Sequence, residues 1–171
     1  YCLMTDTRYT ERVCNDIREH VITDNEQIFM PQIERMRKVG GKWNLVLRPM
    51  FSGYLFITSN EPKQLYERIH HALGKTIFKY VKLIRNDEYI IPLSPSDERI
   101  VTEMSDEKHV LRASLGYIKG DKLIVTDGPL QGHEGSVVKI DRHKRTAVIE
   151  AEFLGEMRHI TVGLEVVKKI N

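Results

Sequence analysis

Residues 120–153 read GDKLIVTDGPLQGHEGSVVKIDRHKRTAVIEAEF. Three short apolar runs stand out: an alternation at Leu123 and Val125, then Val137-Val138-Lys139-Ile140, then Ala147 to Phe153. Gly128-Pro129, Gly132 and Gly135 separate the first run from the second, and Asp141-Arg142-His143-Lys144-Arg145 joins the second to the third. Glycine reaches positive φ without steric cost, so these positions favour tight reversals. Short strands at such close spacing predict a small β-barrel with a basic hairpin tip.

Upstream, the periodicity changes. Val13, Ile17 and Val21 recur every four residues between Tyr9 and Val21, which predicts a helix. Leu65, Ile69 and Leu73 predict a second, begun at Pro62 and ended at Gly74. Ser94-Pro95-Ser96-Asp97-Glu98 predicts a capped third helix running to about Met104. Strands are expected at Tyr1 to Met4, from Ile28 toward Arg37, from Trp43 to Arg48 after the Gly40-Gly41 turn, at Tyr54 to Thr58, and at Ile77 to Ile84, with an extended piece at Tyr89 to Pro92. The order β-α-β-β-α-β-α implies an α+β sandwich. The expected division is an amino-terminal domain over 1–104, a linker over 105–116 without clear periodicity, and a barrel over 117–171.

Composition narrows the function. The chain has 171 residues, 41% of them hydrophobic, which supports packed cores. Residues 1–116 carry 17 Lys+Arg against 16 Asp+Glu, and residues 117–171 carry 9 against 8. Nucleic-acid contact must therefore use a local patch. The two cysteines, Cys2 and Cys14, have no metal-ligand spacing and fit a reducing compartment. No transmembrane-length apolar run and no signal-peptide pattern is visible. His133-Glu134 begins an H-E-x-x-H pattern, but Val137 stands at the last position and the flanking glycines oppose a helix. Gly40-Gly41-Lys42 lacks the rest of a phosphate loop. No metal, cofactor or catalytic group is expected.

Residues 120–153 resemble a KOW motif, a module that binds RNA, ribosomal proteins or transcription proteins. Arg48-Pro49-Met50-Phe51-Ser52-Gly53-Tyr54-Leu55-Phe56 is similar to the aromatic-Pro-Gly-Tyr segment of the NusG family of transcription elongation factors. That family places an α+β amino-terminal domain before a linker and a KOW β-barrel. Ser52 stands where the general factor usually has Pro, and Leu154 where its barrel typically presents an aromatic. These departures point to a specialised antitermination paralogue of the LoaP or RfaH kind.

The resemblance implies site residues. Arg48, Pro49, Met50, Phe51 and Tyr54 are expected to dock on RNA polymerase, with Met50 and Phe51 as exposed apolar anchors. Read from the residues alone, Phe51 and Tyr54 fit ordinary core positions, and only the resemblance turns Phe51 toward an interface. Arg142, His143, Lys144 and Arg145 are expected to contact a nascent RNA hairpin, with Lys139, Arg158 and His159 extending the patch; alone, they also read as a solvated turn. Phe153 and Leu154 are expected on a protein-recruiting barrel face, with a small-subunit ribosomal protein as a possible partner. The expectation is a cytoplasmic, monomeric, non-enzymatic antitermination factor. A ribosome-associated KOW protein, or an enzyme with an RNA-binding appendage, remains the alternative.

Overall fold

A computed structural model describes residues 1–73, 81–83 and 90–170. The chain divides into two units, one of Tyr1–Met30 with Phe51–Leu93, the other of Pro31–Met50 with Ser94–Asn171.

The first unit is a four-stranded antiparallel sheet under two helices. Its strands are β1 (Cys2–Thr5), β2 (Gln27–Phe29), β5 (Tyr54–Thr58) and β6 (Val81–Leu83), in the order β2-β5-β1-β6. Its helices are α1 (Thr10–His20) and α2 (Pro62–Leu73). The four-residue spacing works as expected: Val13 and Ile17 from α1, Val21 at its C-cap, and Leu65 and Ile69 from α2 join Leu3, Leu55 and Ile57 in one buried cluster. Of the expected strand at Ile77 to Ile84, β6 covers residues 81–83 and the rest lies outside the described residues; of the extended piece at Tyr89 to Pro92, residue 89 lies outside them, and Ile90 is buried.

A charged side chain is buried in this unit. The Glu26 carboxylate accepts hydrogen bonds from Arg68 Nη2 at 2.6 and 2.7 Å, from Ser59 Oγ at 2.5 Å and from the Thr23 amide at 2.9 Å. Burial pushes its pKa up, but these donors outweigh burial, and the carboxyl is held below the usual glutamate value.

In the second unit, Pro31 interrupts what reads in sequence as one strand. Proline has no amide hydrogen to continue a ladder, and β3 (Gln32–Val39) belongs to a different sheet from β2. β3 pairs with β4 (Lys42–Pro49) through the Gly40-Gly41 turn, where both glycines have positive φ. The segment expected as a linker carries β7 (Val110–Leu111), parallel to β3, and the start of β8 (Ser114–Lys119). Glu34 holds it further: its carboxylate accepts from Arg112 at 2.9 Å and from the Ala113 amide at 3.2 Å.

The remaining strands are β9 (Lys122–Asp127), β10 (Val137–Asp141), β11 (Thr146–Phe153) and β12 (Glu156–Ile170). With β8 they form a five-stranded sheet in the order β10-β11-β12-β8-β9. Among the described residues β9 and β10 do not pair, so the expected barrel is an open sheet. A 3-10 turn at Glu134–Ser136 stands between these edges, and the Glu134 carboxylate accepts the Val125 amide of β9 at 3.2 Å. β12 is shared by both halves of the sheet, antiparallel to β11 and parallel to β8. Gly163 in β12 lies so close to β3 that a Cβ there would come 2.6 Å from the Glu34 carbonyl oxygen. Helix α3 (Pro95–Thr102) is capped by Ser94, which accepts from the Asp97 amide at 3.2 Å. The Asp97 carboxylate in turn accepts the Leu154 amide at 2.8 Å, fixing α3 to the β11–β12 turn.

Candidate nucleic-acid interface

The β10–β11 turn is shaped by Asp141. Its carboxylate accepts the Lys144 amide at 2.9 Å, and this bond comes first among the causes that hold its pKa below the usual carboxylate value. Arg145 takes a left-handed conformation, φ 52°. Its guanidinium stands 4.6 Å from the centre of the Trp43 ring, with Nη1 3.1 Å from the Glu165 carboxylate. Arg145 therefore braces the turn against β4 and β12. Arg142, His143 and Lys144 remain exposed at the tip, and Lys139 is exposed on β10. Lys144 is only loosely neutralised, with Nζ 3.7 Å from Asp141.

Arg158 and His159 do not extend this patch. They pair across β12 with Ala151 and Glu150. At about 3.4 Å per residue, Glu150 lies roughly 14 Å along β11 from Thr146 at the turn. Each also has its own acidic partner: Arg158 is ion-paired to Glu156 at 2.6 Å, and His159 Nε2 lies within hydrogen-bonding distance, 2.7 Å, of a Glu150 carboxylate oxygen.

The residues expected at a polymerase surface differ in exposure. Arg48 and Pro49, at the end of β4, are exposed, and Tyr54 is half-buried at the start of β5. Met50 and Phe51 are each only 8% exposed, against the expectation of projecting anchors. The turn at Gly53 explains Phe51. Gly53 has φ 83°, and a Cβ there would meet the Thr5 carbonyl oxygen at 2.8 Å. That tight reversal returns Phe51 onto Phe56 at 6.3 Å and edge-on to Tyr54 at 6.1 Å.

Phe153 is likewise a core residue with no exposed surface, because it points inward at the end of β11. Leu154, half-buried, occupies a left-handed position at φ 53° in the turn that Asp97 holds. Neither is a freely presented recruiting face in this arrangement.

Sequence reading missed a further set. Arg35, Arg37 and Lys38 on β3, with Arg48 on β4, lie beside His143 and Lys144 of the turn. Their signal was the alternation Arg35-x-Arg37, which puts both on one face of a strand. Among the described residues, no cluster of His, Cys, Asp and Glu is placed to hold a metal ion, and no helix is long and apolar enough to cross a membrane.

The sequence model of the family described as transcription termination factor NusG matches residues 1–108, more than half of the chain. The chain belongs to the NusG family. Similar proteins include the transcription termination/antitermination protein NusG of Thermus thermophilus, 26% identical over 152 residues, covering 84% of this chain and 80% of the relative. The protein of the same name from Rickettsia typhi is 24% identical over 166 residues, covering 96% and 84%. That of Pasteurella multocida is 20% identical over 182, covering 100% and 94%. The matched NusG residues take in β1 through α3, whereas the basic turn at 142–145 lies beyond them. What that turn does must be argued from its own chemistry.

Proposed function

We propose that this chain is a transcription termination/antitermination factor that engages RNA polymerase through its amino-terminal residues and a nascent RNA hairpin through the β10–β11 turn. Membership of the NusG family carries the first half. The exposed side chains Arg142, His143 and Lys144, set on a turn braced by Arg145 in a chain of net charge +2, carry the second. With little bulk charge, affinity must come from placed contacts to phosphates and to an RNA loop or distorted groove.

Within the polymerase segment, Arg48, Pro49 and Tyr54 supply accessible surface, while Phe51 supports Tyr54 from beneath. Preferential binding to the actively elongating polymerase stabilises that state without chemistry. Ser52 and Leu154 support a specialised antitermination role of the LoaP or RfaH kind. A cytoplasmic setting follows from that role, and a small-subunit ribosomal protein is the competing partner for the five-stranded sheet.

The test joins two measurements on the full chain. Added to a reconstituted polymerase, the chain shifts readthrough at a pause or terminator. In parallel, labelled leader transcripts are titrated against wild type and Arg142→Ala/Lys144→Ala. The variant flattens the salt dependence of RNA binding by about two units of slope, one per lost phosphate contact. Binding no better than to a scrambled hairpin at physiological salt would remove RNA from the proposal and leave a protein partner.

A further inference from the structure

The β3–β4 hairpin and the β10–β11 turn enclose an open cleft of 470 Å³. Arg35, Arg37, Lys38 and Arg48 line it from the hairpin, and His143 and Lys144 from the turn. No carboxylate is among its lining residues. Five permanent cations on one cleft depart sharply from a chain whose net charge is +2.

The arrangement is costly for the protein by itself. Arg35 lies opposite Val46, and Arg48 opposite Ile33, so the two arginines are diagonal neighbours on one face of the hairpin. Burial first, and then the Arg48 charge, lower the pKa of Arg35. Arg35 Nε is buried with no hydrogen-bond partner. A buried donor left without a partner is a net cost to the folded state. Other arginines of the chain are treated differently: Arg68, Arg112 and Arg145 each meet a carboxylate within 3.1 Å.

We propose that this cleft binds the phosphodiester backbone of RNA, carrying a strand away from the β10–β11 turn and past Trp43. This rests on the reading that the turn itself contacts RNA, since His143 and Lys144 belong to both. A guanidinium is planar and donates two parallel hydrogen bonds to one phosphate, so an arginine-lined wall suits a row of phosphate oxygens. Trp43 lines the same cleft, and its indole is gripped by Arg145. A cationic groove with a fixed aromatic ring is the combination that tracks a single strand while stacking a base. The RNA is therefore a hairpin with a single-stranded flank, with the flank in the cleft.

Trp43 is the chain's one tryptophan, so its fluorescence reports this cleft specifically. The full chain is titrated with a labelled RNA hairpin with and without a single-stranded flank, with DNA of the same sequence, and with a poly-glutamate peptide. Label anisotropy and Trp43 emission are read together. Arg37→Gln/Arg48→Gln, both exposed positions, tests the cleft, and Arg142→Ala tests the tip. We expect the flanked hairpin to bind more tightly than the blunt one and to change Trp43 emission. The cleft variant then lowers the salt slope by about two units and removes the advantage of the flank. Arg142→Ala weakens binding but keeps the emission change. If RNA binds, Arg142→Ala weakens it, Trp43 stays silent and the cleft variant matches wild type, the cleft proposal is wrong and the RNA-binding turn survives. If no RNA binds, both fail. If DNA or the peptide alone moves Trp43 emission, the cleft has a different occupant and the proposal is overturned.

Discussion

Glu26 in the first unit and Arg35 in the second are both charged groups drawn out of water, and the chain handles them in opposite ways. Glu26 is met by an arginine, a hydroxyl and an amide. Arg35 has a buried Nε without a partner and another arginine as its neighbour. A buried charge satisfied from within the fold serves the fold. A charge left partly unsatisfied beside a like charge is a cost to stability, and such costs collect where an outside ligand completes the site. The contrast is the reason to test Arg35, rather than Glu26, as part of a binding site.

The largest expected effect is at Glu26. Glu26→Ala leaves Arg68 without its carboxylate and should lower stability by about 3 kcal/mol. The Arg68 side chain keeps 29% of its exposure, which moderates the loss. Denaturant midpoints measure it. The pH dependence has a definite sign. The folded-state pKa of Glu26 is lowered, so its contribution is complete above the unfolded value, about 4.3, and is lost as pH falls through the folded one. The stability gap between wild type and Glu26→Gln should therefore narrow only in acid. A gap that stays constant down to acid denaturation would show that the pair does not act through its charge.

Arg35→Met should behave in the opposite sense. Replacing a half-buried cation with an unpartnered Nε by an apolar side chain of similar length should leave stability unchanged or raise it by about 1 kcal/mol. A loss comparable to that at Glu26 would break the comparison and make Arg35 a structural residue.

A comparably modest effect is expected at Arg145, which has a face-on contact with Trp43 and a partly exposed ion pair with Glu165. Arg145→Gln should cost about 1 kcal/mol. Because Arg145 braces the turn, the Trp43 emission of the unliganded chain should shift as well. Unchanged emission would place the brace elsewhere.

Local elements were legible because their signals are local. α1, α2 and α3 fall within a few residues of where the four-residue spacing and the Ser94 cap put them. β5 and the Gly40-Gly41 hairpin are equally direct. What was not legible depends on partners distant in sequence. β7 has two residues and exists because it pairs with β3, so no periodicity could announce it. The burial of Phe51 follows from Gly53 lying against Thr5, a contact between positions 48 apart. Phe153 looks like a presented aromatic until β12 is paired beside it. The basic turn was visible as a cluster of letters, but its split from Arg158 and His159 needed the register of β11 and β12. The Arg35 cleft was hidden because its two walls are separated by about a hundred residues of chain.

The sharing of β12 sets a schedule for synthesis. Gly163, which lies against Glu34, is made 129 residues after it (163 − 34 = 129). At about 5–20 residues per second, the β3–β4 hairpin emerges roughly 6–26 s before the strand that packs on it. During that wait its Leu45 and Leu47 are in solvent, where 60% and 47% of their surface remains even in the finished unit. The β8–β9 ribbon waits too, and a lone two-stranded ribbon is marginal in water. Completion of the second unit is therefore expected to wait until a single fifteen-residue strand has left the ribosome.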